Sequence, residues 1–184
     1  MAASATHETS TRANGVTHVL SVHDVDTGGS LKEQQPAGRS RTNLRIHARD
    51  ADDEKLAPHL TTCCRFIHGA RLRGGRVLLH CYAGQSRSVA VVAAYLMATS
   101  GQPWRSVVKA VKRRRAIAQP NAGFQRQLAS FDGAAEAMEL ACTFGVVDAC
   151  GDASRVEALH REFCVGRHRE EAEAPFWEKL HLID

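Results

Sequence analysis

Apolar positions in this chain change period several times, and each change marks an element. Val16, Val19, Leu20 and Val22 form a β-branched, alternating stretch that predicts a strand. Leu44 and Ile46, alternating with Arg45 and His47, predict a short second strand. Leu60, Cys64, Ile67 and Arg71 then fall at helical spacing, with Cys63, Phe66 and Ala70 widening the stripe. Pro58 suits that helix's first turn, and Gly74-Gly75 ends it. Val77-Leu78-Leu79 is a continuous apolar run, as a strand buried on both faces requires. Val89 to Met97 is continuously apolar and rich in Ala and Val, which predicts a buried helix starting at Arg87. Ser100-Gly101-Gln102-Pro103 stops it, and Trp104, Val107, Val108 and Val111 form the inner face of the next. Pro120-Asn121 breaks again before a helix over Gly123–Phe131, with Phe124, Leu128 and Phe131 inward.

Strands alternating with helices predict a three-layer α/β domain. Its sheet is short, twisted and mostly parallel, flanked by helices, with the site at the carboxyl end of a central strand. The body spans residues 15–133. Residues 1–14 are small, polar and without period, which predicts disorder. Asp24 to Thr42 is a polar loop, and residues 134–184 are expected to be a helical or partly disordered tail, with Ala134–Ala141 and Ser154–Phe163 as candidate helices, a loop over Gly145–Gly151 and Phe176-Trp177 as a candidate docked turn.

At 184 residues, 43% hydrophobic and 24% charged, the chain is an ordinary globular one, and a net charge of +4 is only weak support for nucleic-acid binding. No apolar leader opens the sequence and no run is long enough to span a bilayer, so a reducing, cytoplasmic and also nuclear setting is expected, without a membrane anchor. The six cysteines then remain mostly free, and none stands in a pair at zinc spacing, so no metal and no cofactor is expected.

Chemistry enters between the run at Val77 and the helix at Arg87. There His80-Cys81-Tyr82-Ala83-Gly84-Gln85-Ser86-Arg87-Ser88 must turn sharply, and Gly84 supplies the freedom. The amides of Tyr82 to Arg87 and the helix's first turn then form a nest for a phosphate-sized anion. Converging amides and a helix dipole favour a Cys81 thiolate, with a pKa brought into the range of roughly 3.5–7.5. Arg87 offers a planar fork to two phosphoryl oxygens. Ser88 can stabilise the thiolate as a leaving group, and His80 is expected to support the loop by hydrogen-bonding its carbonyls. The pattern reads as a phosphoryl-accepting cysteine.

The same residues, continuing to Ala94-Tyr95-Leu96-Met97, resemble the signature of the cysteine-dependent dual-specificity protein phosphatases, and most closely their small atypical members. Asn121-Ala122-Gly123-Phe124-Gln125-Arg126-Gln127-Leu128 resembles the family's segment after the active-site helices. The resemblance implies a protein-tyrosine-phosphatase-like fold and hydrolysis of phosphotyrosine and phosphoserine/threonine through a cysteinyl-phosphate. Substrates would be phosphorylated proteins, signalling kinases among them, acted on by a monomer. Ala83-Gly84-Gln85 holds none of the lysines of phosphoinositide-directed relatives, which argues against lipids. The family's first strand and helix have no counterpart ahead of Val16, so an edge strand is expected to be missing. Ala2 stands where a myristoylation signal needs glycine.

The general acid must come from Asp50, Asp52 or Asp53, and Asp50 is the choice. It is the first carboxylate after the strand at Leu44. Asp52, Asp53 and Glu54 lie nearer the helix start, where capping explains them. The family's strand–Ala–x–Asp pattern with a later Leu is matched by Ala48-Arg49-Asp50 and Leu56. The competing reading is a phosphoprotein-binding module that keeps the pocket and turns over poorly, because a sheet lacking an edge strand would misplace the acid.

Overall fold

The computed structural model describes residues 15–24 and 41–143. The expectations for residues 1–14, for most of the Asp24–Thr42 loop and for everything after residue 143 lie outside them.

Three strands, β1 (His18–His23), β2 (Thr42–His47) and β3 (Val77–His80), pair in parallel in the order β2-β1-β3. Among the described residues β1, not β3, therefore takes the middle. Its pattern says why: Val19 to Val22 are all buried, whereas β2 alternates, with Ile46 buried and Arg45 and His47 exposed. Register sets Leu20 opposite Leu79 and Ser21 opposite His80, so β1 and β3 share their faces. Leu20, Val22 and Leu79 belong to the main core, while Val19 and Leu78 join Val16 in a small separate cluster.

The described residues form five helices: α1 (Ala57–Leu72), α2 (Arg87–Ser100), α3 (Trp104–Arg114), α4 (Ala122–Ala129) and α5 (Gly133–Thr143). Helix α2 is the pillar, buried at every residue from Arg87 to Thr99 and touched by each of the other four helices. That accounts for its lack of a polar face: α2 meets protein all round. Helix α1 buries Leu60, Cys63, Cys64, Ile67 and Ala70 as its periodicity predicts, and also His68. The His68 Nδ1 lies 3.3 Å from the Tyr95 hydroxyl, and burial, reinforced by the Arg71 charge, lowers its pKa to about 4.

The carboxylates before α1 do not cap it, against expectation. Its N-cap, Leu56, makes no side-chain cap bond, and the amides of Leu56 and Ala57 both donate to Gln127 Oε1 at 2.8 Å. Asp53 and Glu54 instead pair with Arg49, at 3.1 and 2.8 Å, and Asp52 Oδ1 accepts from the Gly123 amide at 3.2 Å. A Cβ on Gly123 would stand 2.1 Å from the Asp52 carbonyl oxygen, so only glycine lets this loop lie on α4. Helix α5 buries Ala137, Leu140 and Ala141 and packs on α1 and α2, where Glu136 accepts from Thr61 Oγ1 at 2.6 Å.

Candidate active site

The end of β3 and the start of α2 are seven residues apart, and the chain must reverse into the helix within them. Gly84 does this at φ +59°. The Cys81 Sγ sits inside the turn, 3.2 Å from Ser88 Oγ, and the residue is 7% exposed. Burial alone would push its thiol up. Hydrogen bonds from the Ser88 hydroxyl and amide and from the Gly84 amide, with the Arg87 charge, outweigh that, and the pKa falls below the ordinary thiol value. Cys63 and Cys64 show the contrast: burial without such donors pushes Cys63 up to about 12, and Cys64 is likewise raised.

Arg87 is 4% exposed and lies among oxygen atoms. Its Nη1 donates to the Ala48 carbonyl at 3.2 Å and to Asp24 Oδ1 at 3.3 Å. Its Nε faces Asp50 Oδ2 at 3.7 Å, in ion-pair range, and makes no hydrogen bond. A buried guanidinium with an unsatisfied N–H is prepared for an anion. The Arg87 charge also lowers the pKa of His23, where desolvation is the larger cause.

Asp50 thus reaches the same guanidinium from an exposed loop after β2, and its Oδ1 accepts from Asn121 Nδ2 at 2.9 Å. Of the loop residues, Tyr82, Ala83 and Gln85 are exposed at the mouth and Ser86 is buried. His80 Nε2 pairs with Ser21 Oγ at 2.8 Å, tying β3 to β1 beneath the nucleophile.

Four participants were not singled out from the sequence. Asp24 was read only as the first loop residue, yet it pairs with Arg87. Arg115 closes the run Lys112-Arg113-Arg114-Arg115, a sequence that suggests solvated cations at a helix C-terminus. It donates instead through Nε to the Gly84 carbonyl at 2.8 Å and through Nη2 to that of Ala83 at 3.2 Å. The Gln119 amide donates to the Gln85 carbonyl at 2.8 Å, and the Asn121 amide to Ser86 Oγ at 3.1 Å. Residues 115–121 therefore form a strap that holds the loop by the carbonyls of Ala83, Gly84 and Gln85 and by the Ser86 hydroxyl. A signal existed only for Asn121, an N-cap residue type three positions before Phe124.

A glycine turn with an acidified cysteine inside it, a buried arginine fork and a carboxylate on the rim is an arrangement able to bind a phosphate ester and present sulfur to it. The chain belongs to the dual specificity phosphatase catalytic domain family, which matches residues 1–133. It is 42% identical over 118 residues to human dual specificity protein phosphatase 15, covering 64% of this chain and 37% of that one. Human dual specificity protein phosphatase 22 is 41% identical over 119 residues, covering 65% and 60%. The DUSP15 crystal structure superposes with a TM-score of 0.64 at 36% identity, covering 81% of this chain and 88% of that one. This chain spans less than half the length of the human phosphatase 15 it matches. No helix among the described residues is long and apolar enough to cross a membrane.

Proposed function

We propose that the protein hydrolyses phosphate monoesters on proteins, phosphotyrosine and phosphoserine/threonine, in two steps through a cysteinyl-phosphate. The observation that carries this reading is the Cys81 sulfur held by Ser88 and the Gly84 amide beside the buried Arg87. In the first step the Cys81 thiolate forms a bond to phosphorus while the bond to the leaving oxygen breaks. The loop amides of Tyr82 to Arg87 and the Arg87 fork hold the three equatorial oxygens, where charge accumulates. Asp50, protonated, gives its proton to the leaving oxygen. In the second step Asp50, now a carboxylate, takes a proton from water as the water oxygen attacks phosphorus. Sulfur leaves as thiolate, stabilised by the Ser88 hydroxyl. Cys81, Arg87, Asp50 and Ser88 carry the reaction without metal or cofactor, and His80 supports the loop.

The family relationship supports phosphorylated proteins as substrates; signalling kinases among them, a monomeric enzyme and a cytoplasmic and nuclear setting belong to the same proposal. The hydrogen bond from Asn121 to Asp50 supports catalysis over a binding-only role, since the acid is held at the site. Steady-state phosphate release from phosphotyrosine and phosphoserine peptides tests the proposal. Turnover by wild type that vanishes in Cys81→Ser is expected, whereas phosphopeptide binding without release would leave only the binding-module reading.

A further inference from the structure

A carboxylate on an exposed loop samples several rotamers, and an acid displaced by about 1 Å can lose on the order of a hundredfold in rate. Asp50 is on such a loop, and what restrains it comes from across the molecule. Asn121 Nδ2 donates to Asp50 Oδ1 at 2.9 Å, and Arg87 Nε stands 3.7 Å from Oδ2.

Asn121 is itself fixed at both ends. Its Oδ1 accepts from the Phe124 amide at 2.8 Å as the N-cap of α4, so the NH2 end must face Asp50. Its backbone amide donates to Ser86 Oγ in the phosphate loop at 3.1 Å, and its carbonyl accepts from the Gln125 amide at 2.9 Å. One residue therefore joins the anion loop, the acid and a helix terminus. Gly123, two residues on, lets the acid loop's backbone come into contact there.

We propose that Asn121 is a positioning residue: its side-chain amide aims Asp50 at the leaving oxygen, in register with the phosphate loop through Ser86. The inference rests on the reading of Asp50 as the acid. The charged groups around Asp50 are Arg87, whose Nη1 is shared with Asp24, and Arg49 of the same loop, which is engaged by Asp53 and Glu54.

The test measures kcat/KM against pH for a phosphotyrosine peptide and for para-nitrophenyl phosphate, in wild type, Asn121→Ser, Asn121→Asp and Asp50→Asn. Serine and aspartate both keep an oxygen to cap α4 and the backbone bond to Ser86, so folding is preserved in at least one of them. Asn121→Ser should slow the peptide about ten-fold more than the nitrophenyl ester. Asn121→Asp, which presents an acceptor to Asp50 in place of the donor, should show the same leaving-group dependence. If both variants lower the two substrates equally, Asn121 is merely structural and the inference is overturned. Asp50→Asn separates the two claims. If it shows no leaving-group dependence, the acid assignment fails and the role of Asn121 with it. If it shows that dependence while the Asn121 variants do not, only the inference about Asn121 fails.

Discussion

The two halves of the site are built in opposite ways. The nucleophile half, Cys81 to Ser88, is a single run of chain whose geometry follows from one strand end, one glycine and one helix start. Cys81 and Ser86 to Ser88 are buried, and the run leads into α2, which the other four described helices touch. The acid half is an exposed loop whose carboxylates find partners about 70 residues away, Asn121 for Asp50 and the Gly123 amide for Asp52. Local backbone geometry sets the first half and tertiary contact sets the second. Their failures should differ in kind: damage to the first should stop every substrate, and damage to the second should lower kcat/KM only for those with basic leaving groups.

The largest effects belong to the first half. Cys81→Ser should reduce turnover below detection for peptide and activated ester alike, while phosphopeptide binding persists on the loop amides and Arg87. Arg87→Lys keeps the charge and loses the fork, and should cost about 10²–10³ in kcat for both substrates. Steady-state kinetics with the two substrates side by side checks both. A loss confined to the peptide would erase the distinction between the halves.

Asp50→Ala should lower kcat/KM, which reports the first step, by roughly 10²–10⁴ for a phosphotyrosine peptide and far less for para-nitrophenyl phosphate. The basic limb of its pH–rate profile should flatten. The acidic limb, which reports formation of the Cys81 thiolate as pH rises, should remain. The same dependence in Asp52→Ala or Asp53→Ala, but not in Asp50→Ala, would move the acid along the loop.

Two glycines sharpen the comparison. A Cβ on Gly84 would meet φ +59° and stand 2.6 Å from Arg115 Nη2, so Gly84→Ala should disturb the anion loop and slow both substrates together, by about tenfold or more. Gly123→Ala, driven against the Asp52 backbone, should mimic a weaker Asp50→Ala, with a stability loss of about 1–3 kcal/mol readable in a denaturant melt. Equal effects of Gly123→Ala on the two substrates would show that the loops are one unit.

This difference in construction also sets what could be read in advance. Cys81, Gly84 and Arg87 lie within one window, and strand, loop and helix periods surround them, so the nucleophile half was legible from the sequence. The approach of Asp50 to Arg87 was legible too, from its place after β2. The strap was not, because Arg115 ends a run of cations on α3 and nothing in that run distinguishes a side chain that folds back onto the Gly84 carbonyl. The role of Gln127 at the start of α1 was hidden for the same reason: its two acceptor bonds reach amides some 70 residues earlier. The expected carboxylate cap failed because Arg49 and Gly123 supplied closer partners.

Smaller effects concern the environment of the thiols and the core. Iodoacetate at neutral pH should modify Cys81 well before Cys63 or Cys64, since thiolate is favoured at the first and suppressed at the others. Peptide mass spectrometry over time reads the order. His68 stays neutral in the folded state, with a pKa of about 4 against an ordinary 6.5. Its contribution to stability is present above about pH 6.5 and lost as pH falls toward 4. Thermal melts between pH 7 and 4.5 should show a decline that is shallower in His68→Gln.

The most direct test exploits both halves at once. Asp50→Ala, given para-nitrophenyl phosphate, should complete the first step, which needs little acid, and stall at the second, which needs Asp50 to activate water. Rapid acid quench followed by peptide mass spectrometry should then find phosphate on Cys81 approaching one per chain, with a burst of nitrophenol of matching size. Turnover of the ester without phosphate on Cys81, or with phosphate on another residue, would contradict the two-step account and the division of labour built on it.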